Sequence, residues 1–141
     1  MLTLRYYIVK MSLLIHTCCA DCLLHLINNL GVRDEVVIYF DNLNIHPRSE
    51  MLSRLAAVKK VAAGEGIKKI IVADWEPGEY FRAIGENKTK GVRCTRCWEL
   101  RLQKLIKKAK SMGIGRVTTT MLTSSYLNRK VIIELGQQIA K

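Results

Sequence analysis

The sequence predicts an α/β fold in which a mainly parallel sheet of about four strands is covered by helices on both faces. Short apolar runs rich in β-branched residues alternate with longer segments whose apolar residues recur with the period of a helix. Such alternation is typical of parallel sheets, because each strand needs a crossover, usually a helix, before the next parallel strand. The length of 141 residues suits one domain and is short for two. We therefore expect a single Rossmann-like domain.

The expected strands are the short apolar runs, which have the length and composition of buried strands. In chain order they span residues 12–16, 35–40, 68–73 and 116–120. The first ten residues alternate only loosely between apolar and polar. The sequence therefore leaves open whether residues 1–10 form an edge strand or a disordered leader, and we assign the single α/β domain to residues 11–141.

Helical periodicity fills the intervals between these strands. The expected core-facing stripes are Leu23, Leu26, Ile27 and Leu30; Leu52, Leu55, Val58 and Ala62; Trp98, Leu102, Leu105, Ala109 and Met112; and Val131, Ile132, Leu135 and Ile139. Glycines that could adopt left-handed caps stand at the expected helix ends, namely Gly31, Gly64, Gly66 and Gly113. Residues 76–91 contain three glycines and a proline, and we predict a flexible loop there.

The composition is strongly basic, with 23 Lys and Arg against 12 Asp and Glu and a formal net charge of +11. Nucleic acid is the expected partner, because Lys and Arg bind phosphate with salt-sensitive affinity. Dinucleotide binding has no local support, since neither a Gly-x-Gly-x-x-Gly nor a Walker pattern occurs. The apolar runs are too short to cross a bilayer and no signal peptide is recognisable. We therefore expect a cytoplasmic protein that does not enter membranes.

Five cysteines lie in two tight clusters, Cys18, Cys19 and Cys22 after the first strand, and Cys94 and Cys97 at the expected start of a helix. A Cys-x-x-Cys pair at a helix start aims both sulfurs at one point, and the helix N-terminus stabilises thiolate. Converging thiolates are the ligands of soft metals and iron–sulfur clusters. The alternative, that the thiols are small buried apolar groups, suits isolated cysteines better. The pattern predicts one metal or redox centre built from both clusters.

Polar side chains follow the expected strands at the edge where parallel α/β sheets collect ligands. His16, Asn42, Asn44 and His46 lie there and are candidate substrate-binding residues. Strand-end histidines are nevertheless often structural, and Asn residues after strands often form turns. Asp21 lies inside the first cysteine cluster. It is a candidate metal ligand or proton donor, unless it serves only as a carboxylate favoured by the start of a helix.

Basic residues continue along the helix that carries the second cysteine pair. Arg96, Lys104, Lys107 and Lys108 would give a phosphate-bearing substrate a track toward the metal site. The alternative is an ordinary solvated helix face. Aromatic residues that could stack on a base flank the predicted loop and the second cluster, namely Trp75, Tyr80, Phe81 and Trp98.

Six segments in order carry a family resemblance: Leu13-Leu-Ile-His-Thr-Cys-Cys-Ala-Asp-Cys22, Asn42-Leu-Asn-Ile-His-Pro-Arg48, Arg54-Leu55, Asp74-Trp75, Arg93-Cys-Thr-Arg-Cys97 with Arg101-Leu102, and Thr118-Thr-Thr-Met-Leu-Thr-Ser124 with Asn128. The chain thereby resembles the QueH family of epoxyqueuosine reductases. This resemblance implies reduction of epoxyqueuosine to queuosine in tRNA, the last step of queuosine synthesis. It also implies a cobalamin-independent oxidoreductase with a four-iron four-sulfur cluster, an additional mononuclear iron nearby and an external electron donor.

The resemblance also assigns roles to the cysteines. Four of them would hold the cluster, namely Cys18, Cys19, Cys94 and Cys97. Asp21 and Cys22 would then serve the second iron or supply proton and thiol chemistry. The spacing leaves open an exchange of roles between Cys22 and either Cys18 or Cys19.

The chain departs from the family pattern in two respects. Asp21 and Leu43 stand where proline is common, and most members continue for some tens of residues beyond the position of Lys141 with a Tyr-Cys-Gly-Cys-like motif. A short branch or a truncated chain is expected on that basis. Two other functions compete: a basic RNA-binding module with a structural zinc and no catalysis, and a sulfur-transfer or adenylating enzyme acting on tRNA. The last lacks support, because no Ser-Gly-Gly-x-Asp-Ser-type loop follows the first strand.

Overall fold

Four parallel strands form the sheet, as a computed structural model of residues 12–30, 35–86 and 89–141 shows. The elements are β1 (Leu13–His16), α1 (Ala20–Asn29), β2 (Val36–Phe40), α2 (Arg48–Gly64), β3 (Lys69–Val72), α3 (Pro77–Ile84), α4 (Lys90–Met112), β4 (Arg116–Thr119), a 3-10 turn (Thr120–Thr123) and α5 (Arg129–Ala140). The strand order is β3-β2-β1-β4, and every pairing is parallel. The Rossmann-like α/β prediction is confirmed, whereas the leader prediction for residues 1–10 lies outside the described residues.

Helices cover both faces of the sheet, because successive strand side chains point in opposite directions. On one face, Leu13 and Ile15 pack in a core with Val58 of α2 and with α1. On the other face, Leu14 packs in a second core with Trp98 of α4 and with α5. The helices that carry the two cysteine clusters, α1 and α4, therefore lie on opposite faces of the sheet.

The two outer strands are less buried than the sequence predicts. All four residues of β1 are buried, but Val72 of β3 and Val117 of β4 are 43% and 37% exposed. Lys69 and Arg116 begin these outer strands. Charged residues at a sheet edge discourage pairing with other chains, so a fully buried environment was wrong for β3 and β4.

The core-facing stripe of α2 is shifted by one residue from the prediction at its start. Met51 is buried, whereas Leu52, assigned to the stripe by periodicity, is 48% exposed. Leu55, Val58 and Ala62 are buried as expected. Because residues three and four apart share a helix face, Met51, four residues before Leu55, fits the spacing to Leu55 as well as Leu52, three residues before it, does. The pattern alone could not choose between them.

The prediction of a flexible loop at residues 76–91 is wrong, because α3 (Pro77–Ile84) occupies most of it. Proline suits the first turn of a helix, where its missing N–H costs nothing. Glu79 lies in that first turn, where a carboxylate is favoured by the helix dipole. Gly85 follows the helix with φ +59°, a conformation that glycine adopts without strain. The glycines and charges that indicated a loop therefore begin and end a short helix.

The longest helix among the described residues, α4, begins at Lys90 and includes Gly91, the other end of the predicted loop. Its stripe of Trp98, Leu102, Leu105 and Ala109 is buried, as the periodicity predicts. The helix ends at Gly113 in the left-handed conformation, which confirms that predicted cap. No helix in the described part of the chain is long and apolar enough to cross a membrane.

Two adjacent alanine substitutions on α2 test the observed register. Met51→Ala should lower the free energy of unfolding by about 2–5 kcal/mol, since it leaves a cavity in the core. Leu52→Ala should cost less than about 1 kcal/mol, because its side chain is half exposed. Urea denaturation of both variants measures the difference. Equal costs, or a larger cost at Leu52, would contradict the observed register.

Candidate metal and cysteine site

The carboxyl ends of three neighbouring strands deliver the predicted site residues to one edge of the sheet. Thr17 and Cys18 follow β1, Asp41 and Asn42 follow β2, and Thr120 follows β4. β2 and β3 lie on one side of β1 and β4 lies on the other. This reversal of strand order lies between β1 and β4, which is where open α/β sheets bind ligands. The edge predicted from the sequence is therefore the edge that forms.

Cys18 lies at this reversal point, beside Thr120. Its backbone N–H donates to Thr120 Oγ1, and its Sγ lies 3.1 Å from the same oxygen. A hydrogen bond from the Cys19 thiol is the largest cause that lowers the pKa of Cys18 to about 5, although burial opposes it. Arg101 and Thr120 lower the pKa further. Cys18 is thus a thiolate at neutral pH, the form that binds metals.

The remainder of the first cluster occupies the start of α1. Cys19 is the N-cap of α1, and Cys22 lies in its first turn, so this Cys-x-x-Cys begins a helix as predicted. The hydrogen bond to Cys18 is the largest cause that raises the pKa of Cys19. Asp21 is exposed in the same turn. That placement suits both of its candidate roles, a helix-start carboxylate or a proton donor.

The second cluster lies further along its helix than predicted. Cys94 and Cys97 are not at the N-terminus of α4, because the helix begins at Lys90. Cys94 is half-buried and Cys97 is buried. Burial is the largest cause that raises the pKa of Cys97, and Arg101 partly opposes it. The two clusters thus differ: Cys18 favours the thiolate form, and Cys97 favours the neutral thiol.

A buried arginine, Arg101, connects the two cysteine clusters. Its positive charge lies near both sulfurs, since it lowers the pKa of Cys18 and opposes the rise in the pKa of Cys97. Its Nη2 also donates to Asn42 Oδ1 at 3.3 Å, and the side chain is only 7% exposed. Arg101 follows Cys97 by four residues and therefore shares its helix face. That spacing was the available signal for a site role, which the sequence analysis did not assign to Arg101.

Cysteine thiolates are chemically suitable ligands for a soft metal or an iron–sulfur cluster. Among the described residues, no group of three or more His, Cys, Asp or Glu side chains stands ready to hold a metal ion. The charge of Arg101 acts on one cysteine of each cluster, however, and the lowered pKa of Cys18 favours a ligand thiolate. The donor set is therefore suitable, and the division of ligands among the five cysteines stays a prediction.

Asn42 and His16 are buried and already bonded to protein atoms. The Asn42 amide donates to the Thr17 carbonyl at 2.8 Å and accepts from Arg101, which joins β1 to α4. His16 Nε2 donates to the Asp41 carbonyl, and Nδ1 lies 2.9 Å from Thr119 Oγ1. Burial is the largest cause that lowers the pKa of His16 to about 3. These contacts favour the structural alternative for both residues, and their substrate role stays a prediction.

Asn44 and His46 lie on the loop after β2. Asn44 is half-buried, and its Oδ1 has no hydrogen-bond partner within the described ranges. His46 is exposed and stacks on Phe81 of α3, with ring centroids 5.1 Å apart. His46 is therefore accessible to a ligand, whereas Asn44 Oδ1 is a buried oxygen, and the substrate-binding role of both residues stays a prediction.

Lys104 forms ion pairs with two carboxylates, one of which belongs to α3. Its Nζ lies 3.4 Å from Asp41 Oδ2 and 3.1 Å from Glu79 Oε2. Partial burial disfavours the charged form of Lys104, but the two carboxylates outweigh burial and raise its pKa. Tyr39 donates to the same Asp41 oxygen at 2.8 Å. Much of the charge that the basic track assigned to Lys104 is therefore already neutralised.

The other members of the predicted basic track are divided between two clefts. Lys107 and Lys108 line a surface cleft of about 350 Å³ together with Lys104 and Tyr39. Arg96 is exposed and lines a separate cleft with Thr95 and Glu99. The structure thus brings the three lysines together and sets Arg96 apart from them.

Alkylation of Cys18 tests the electrostatics of the site. In the reduced, metal-free protein, the rate of Cys18 modification by iodoacetamide should rise through a midpoint near its pKa of about 5. Cys19→Ala removes the largest cause of the low pKa, and Arg101→Gln removes a positive charge, so both should move the midpoint upward. Arg96→Gln, on the same helix but exposed, is the control and should leave it unchanged. A wild-type midpoint at the ordinary thiol value, measured by peptide mass spectrometry, would contradict this account.

Comparison with known proteins identifies the family of this chain. The family model described as epoxyqueuosine reductase QueH matches residues 13–141. Proteins named epoxyqueuosine reductase QueH from Staphylococcus aureus, Streptococcus pyogenes and Helicobacter pylori are 30%, 29% and 35% identical, over 94%, 94% and 92% of this chain. The match spans 60%, 55% and 36% of those relatives. Because the family match covers nearly the whole chain, this protein belongs to the QueH family.

Proposed function

We propose that this chain reduces epoxyqueuosine to queuosine in tRNA, as a cobalamin-independent oxidoreductase of the QueH family. The observation that supports the proposal most directly is the position of a single buried guanidinium, whose charge acts on the pKa of one cysteine from each cluster. Such an arrangement suits one redox centre at the ligand-binding edge of the sheet. The chain spans 60% or less of the first relatives, so the activity in their names is extended to it as a proposal.

The cofactor in this proposal is a four-iron four-sulfur cluster with an additional mononuclear iron. The cluster would be held by four of the cysteines, namely Cys18, Cys19, Cys94 and Cys97. When bound, these groups would supply electrons singly and a Lewis acid for the epoxide oxygen. The positive charge of Arg101 would offset part of the negative charge that several thiolates bring to one place.

The reaction needs two protons as well as two electrons, because the epoxide oxygen leaves as water. Asp21 is exposed beside Cys22 in the first turn of α1, so both side chains can meet a substrate that arrives at this edge. We assign them to proton delivery or to the second iron. An external electron donor completes the balance.

The substrate in this proposal is tRNA, bound mainly through phosphate contacts. The net charge of +11 supplies the attraction. The surface cleft lined by Lys104, Lys107 and Lys108 is called the lysine cleft here. Lys104 forms ion pairs, whereas Lys107 and Lys108 form none with the other described residues. Phosphate is therefore expected to approach α4 through these two side chains rather than through Lys104.

Anaerobic purification of this chain, followed by iron and sulfide analysis, tests the proposal. We expect brown protein with broad visible absorption, and turnover of epoxyqueuosine-containing tRNA with a chemical reductant. A colourless protein that contains zinc and binds tRNA without turnover would contradict the proposal. That result would instead support a basic RNA-binding module.

Substitution of Asp21 tests its catalytic assignment. Asp21→Asn keeps the size and removes the charge, so it should leave the cluster absorption intact and lower the reduction rate about a hundredfold. Cys22→Ser should behave in the same way. Glu65→Gln, an exposed acid after α2, is the control and should change neither quantity. If either site variant lost the cluster, that residue would be a cluster ligand and Cys18 or Cys19 would take the catalytic role.

Charge reversal on two basic helices locates the phosphate contacts. The double variant Lys107→Glu with Lys108→Glu should weaken tRNA binding and flatten its dependence on salt, since each lost phosphate contact reduces the slope of log K against log salt by about 0.7–0.9. The control is Lys59→Glu with Lys60→Glu, which makes the same change of charge on α2. A greater loss of affinity in the control would place the phosphate contacts on α2.

A further inference from the structure

Four aromatic rings form a partly exposed cluster outside the cysteine site. His46 and Phe81 stack with ring centroids 5.1 Å apart and an interplanar angle of 15°. Tyr80 packs edge-on against Phe81 at 5.3 Å, and Trp75 packs edge-on against His46 at 6.2 Å. We refer to these four residues as the aromatic platform.

The platform is anchored at its base and open at Phe81. The indole Nε1 of Trp75 donates to the Ile45 carbonyl at 3.1 Å, which holds the loop after β2 against the loop after β3. Phe81, by contrast, is 55% exposed, although it stands on a helix with other apolar side chains. A phenyl ring fixed by a stacked partner on one side and open on the other is ready to receive a planar ligand.

The platform borders the cysteine site. The helix that carries Tyr80 and Phe81, α3, packs against α4, which carries Cys97 and Arg93. Burial is the largest cause that raises the pKa of Tyr80, and the proximity of Cys97 is the next. Arg93 acts in the opposite direction on the same hydroxyl. Tyr80 therefore faces both a site cysteine and an exposed arginine, so a ligand on the platform would lie beside the cysteines with a cation within reach.

Unpaired RNA bases fit this surface better than other planar ligands. Proteins that recognise single-stranded RNA combine aromatic rings, on which bases stack, with Lys or Arg that meet the backbone phosphate. Here the open ring is Phe81 and the neighbouring cation is Arg93. The net charge of +11 favours a polyanion over a neutral or cationic partner.

We propose that the open face of Phe81 stacks an unpaired RNA base next to the nucleotide that enters the cysteine site. The identity of that RNA as a tRNA anticodon loop rests on the proposed function, whereas the stacking of an unpaired base does not. Stacking is tolerant of base identity, because every base presents a π-face. The platform would therefore hold the neighbour of the reacting nucleotide regardless of its sequence.

Binding of an unmodified anticodon stem-loop RNA to the anaerobically purified chain tests this proposal. Phe81→Ala should weaken binding roughly 5- to 150-fold, the range for loss of one stacked base. The slope of log K against log salt should not change, because no charge is lost. Phe81→Trp should restore the affinity. The control is Ile133→Ala, which truncates another exposed apolar residue, on α5, and should have no effect.

Abasic substitutions in the RNA identify the stacked base. At one loop position, removal of the base should weaken wild-type binding and should abolish the difference between wild type and Phe81→Ala. If Phe81→Ala binds within twofold of wild type, or if no abasic position removes the difference, the stacking proposal is wrong. These measurements need no turnover, so a chain that stacks the RNA without reducing epoxyqueuosine would contradict the proposed function alone.

Discussion

The buried guanidinium of Arg101 is the interaction on which the site depends. It reaches from α4, on one face of the sheet, toward the loops that follow β1 and β2, where it donates to Asn42. Its charge also acts on the pKa of Cys18 and Cys97. A buried charge is costly unless it is paired and hydrogen-bonded. Here the Cys18 thiolate supplies a negative charge and Asn42 Oδ1 accepts from Nη2, whereas Nε has no hydrogen-bond partner among the described residues. Because its charge acts on one sulfur from each cluster, we propose that cysteines carried by helices on opposite faces meet at this edge.

α3 connects the other two features of this surface. Glu79 of α3 pairs with Lys104 and closes one side of the lysine cleft, whereas Tyr80 and Phe81 form half of the aromatic platform. One short helix thus faces the basic cleft, the aromatic rings and Cys97. Because one helix borders both surfaces, the proposed phosphate contacts and the proposed base stacking would both depend on the position of α3.

Sequence patterns predicted those parts of the fold that follow from local chemistry. The four strands, the edge at which their carboxyl ends meet and the helix start at Cys19 follow from periodicity and capping rules. α3 was missed because its proline and glycines, which begin and end a helix, also occur in loops. The role of Arg101 was missed because it arises from contacts with Cys18 and Asn42, far away in the sequence. The pairing of Lys104 with Asp41 depends in the same way on tertiary structure.

Intramolecular cross-linking of the two cysteine clusters tests the central claim most directly. In a variant that keeps only Cys18 and Cys97, the metal-free protein should react with a short dithiol-specific reagent to give a monomeric cross-linked product, because the charge of the same guanidinium acts on both sulfurs. Peptide mapping would identify the link between the two sites. Failure to cross-link within the chain, with both thiols freely alkylated one at a time, would show that the clusters do not form one site.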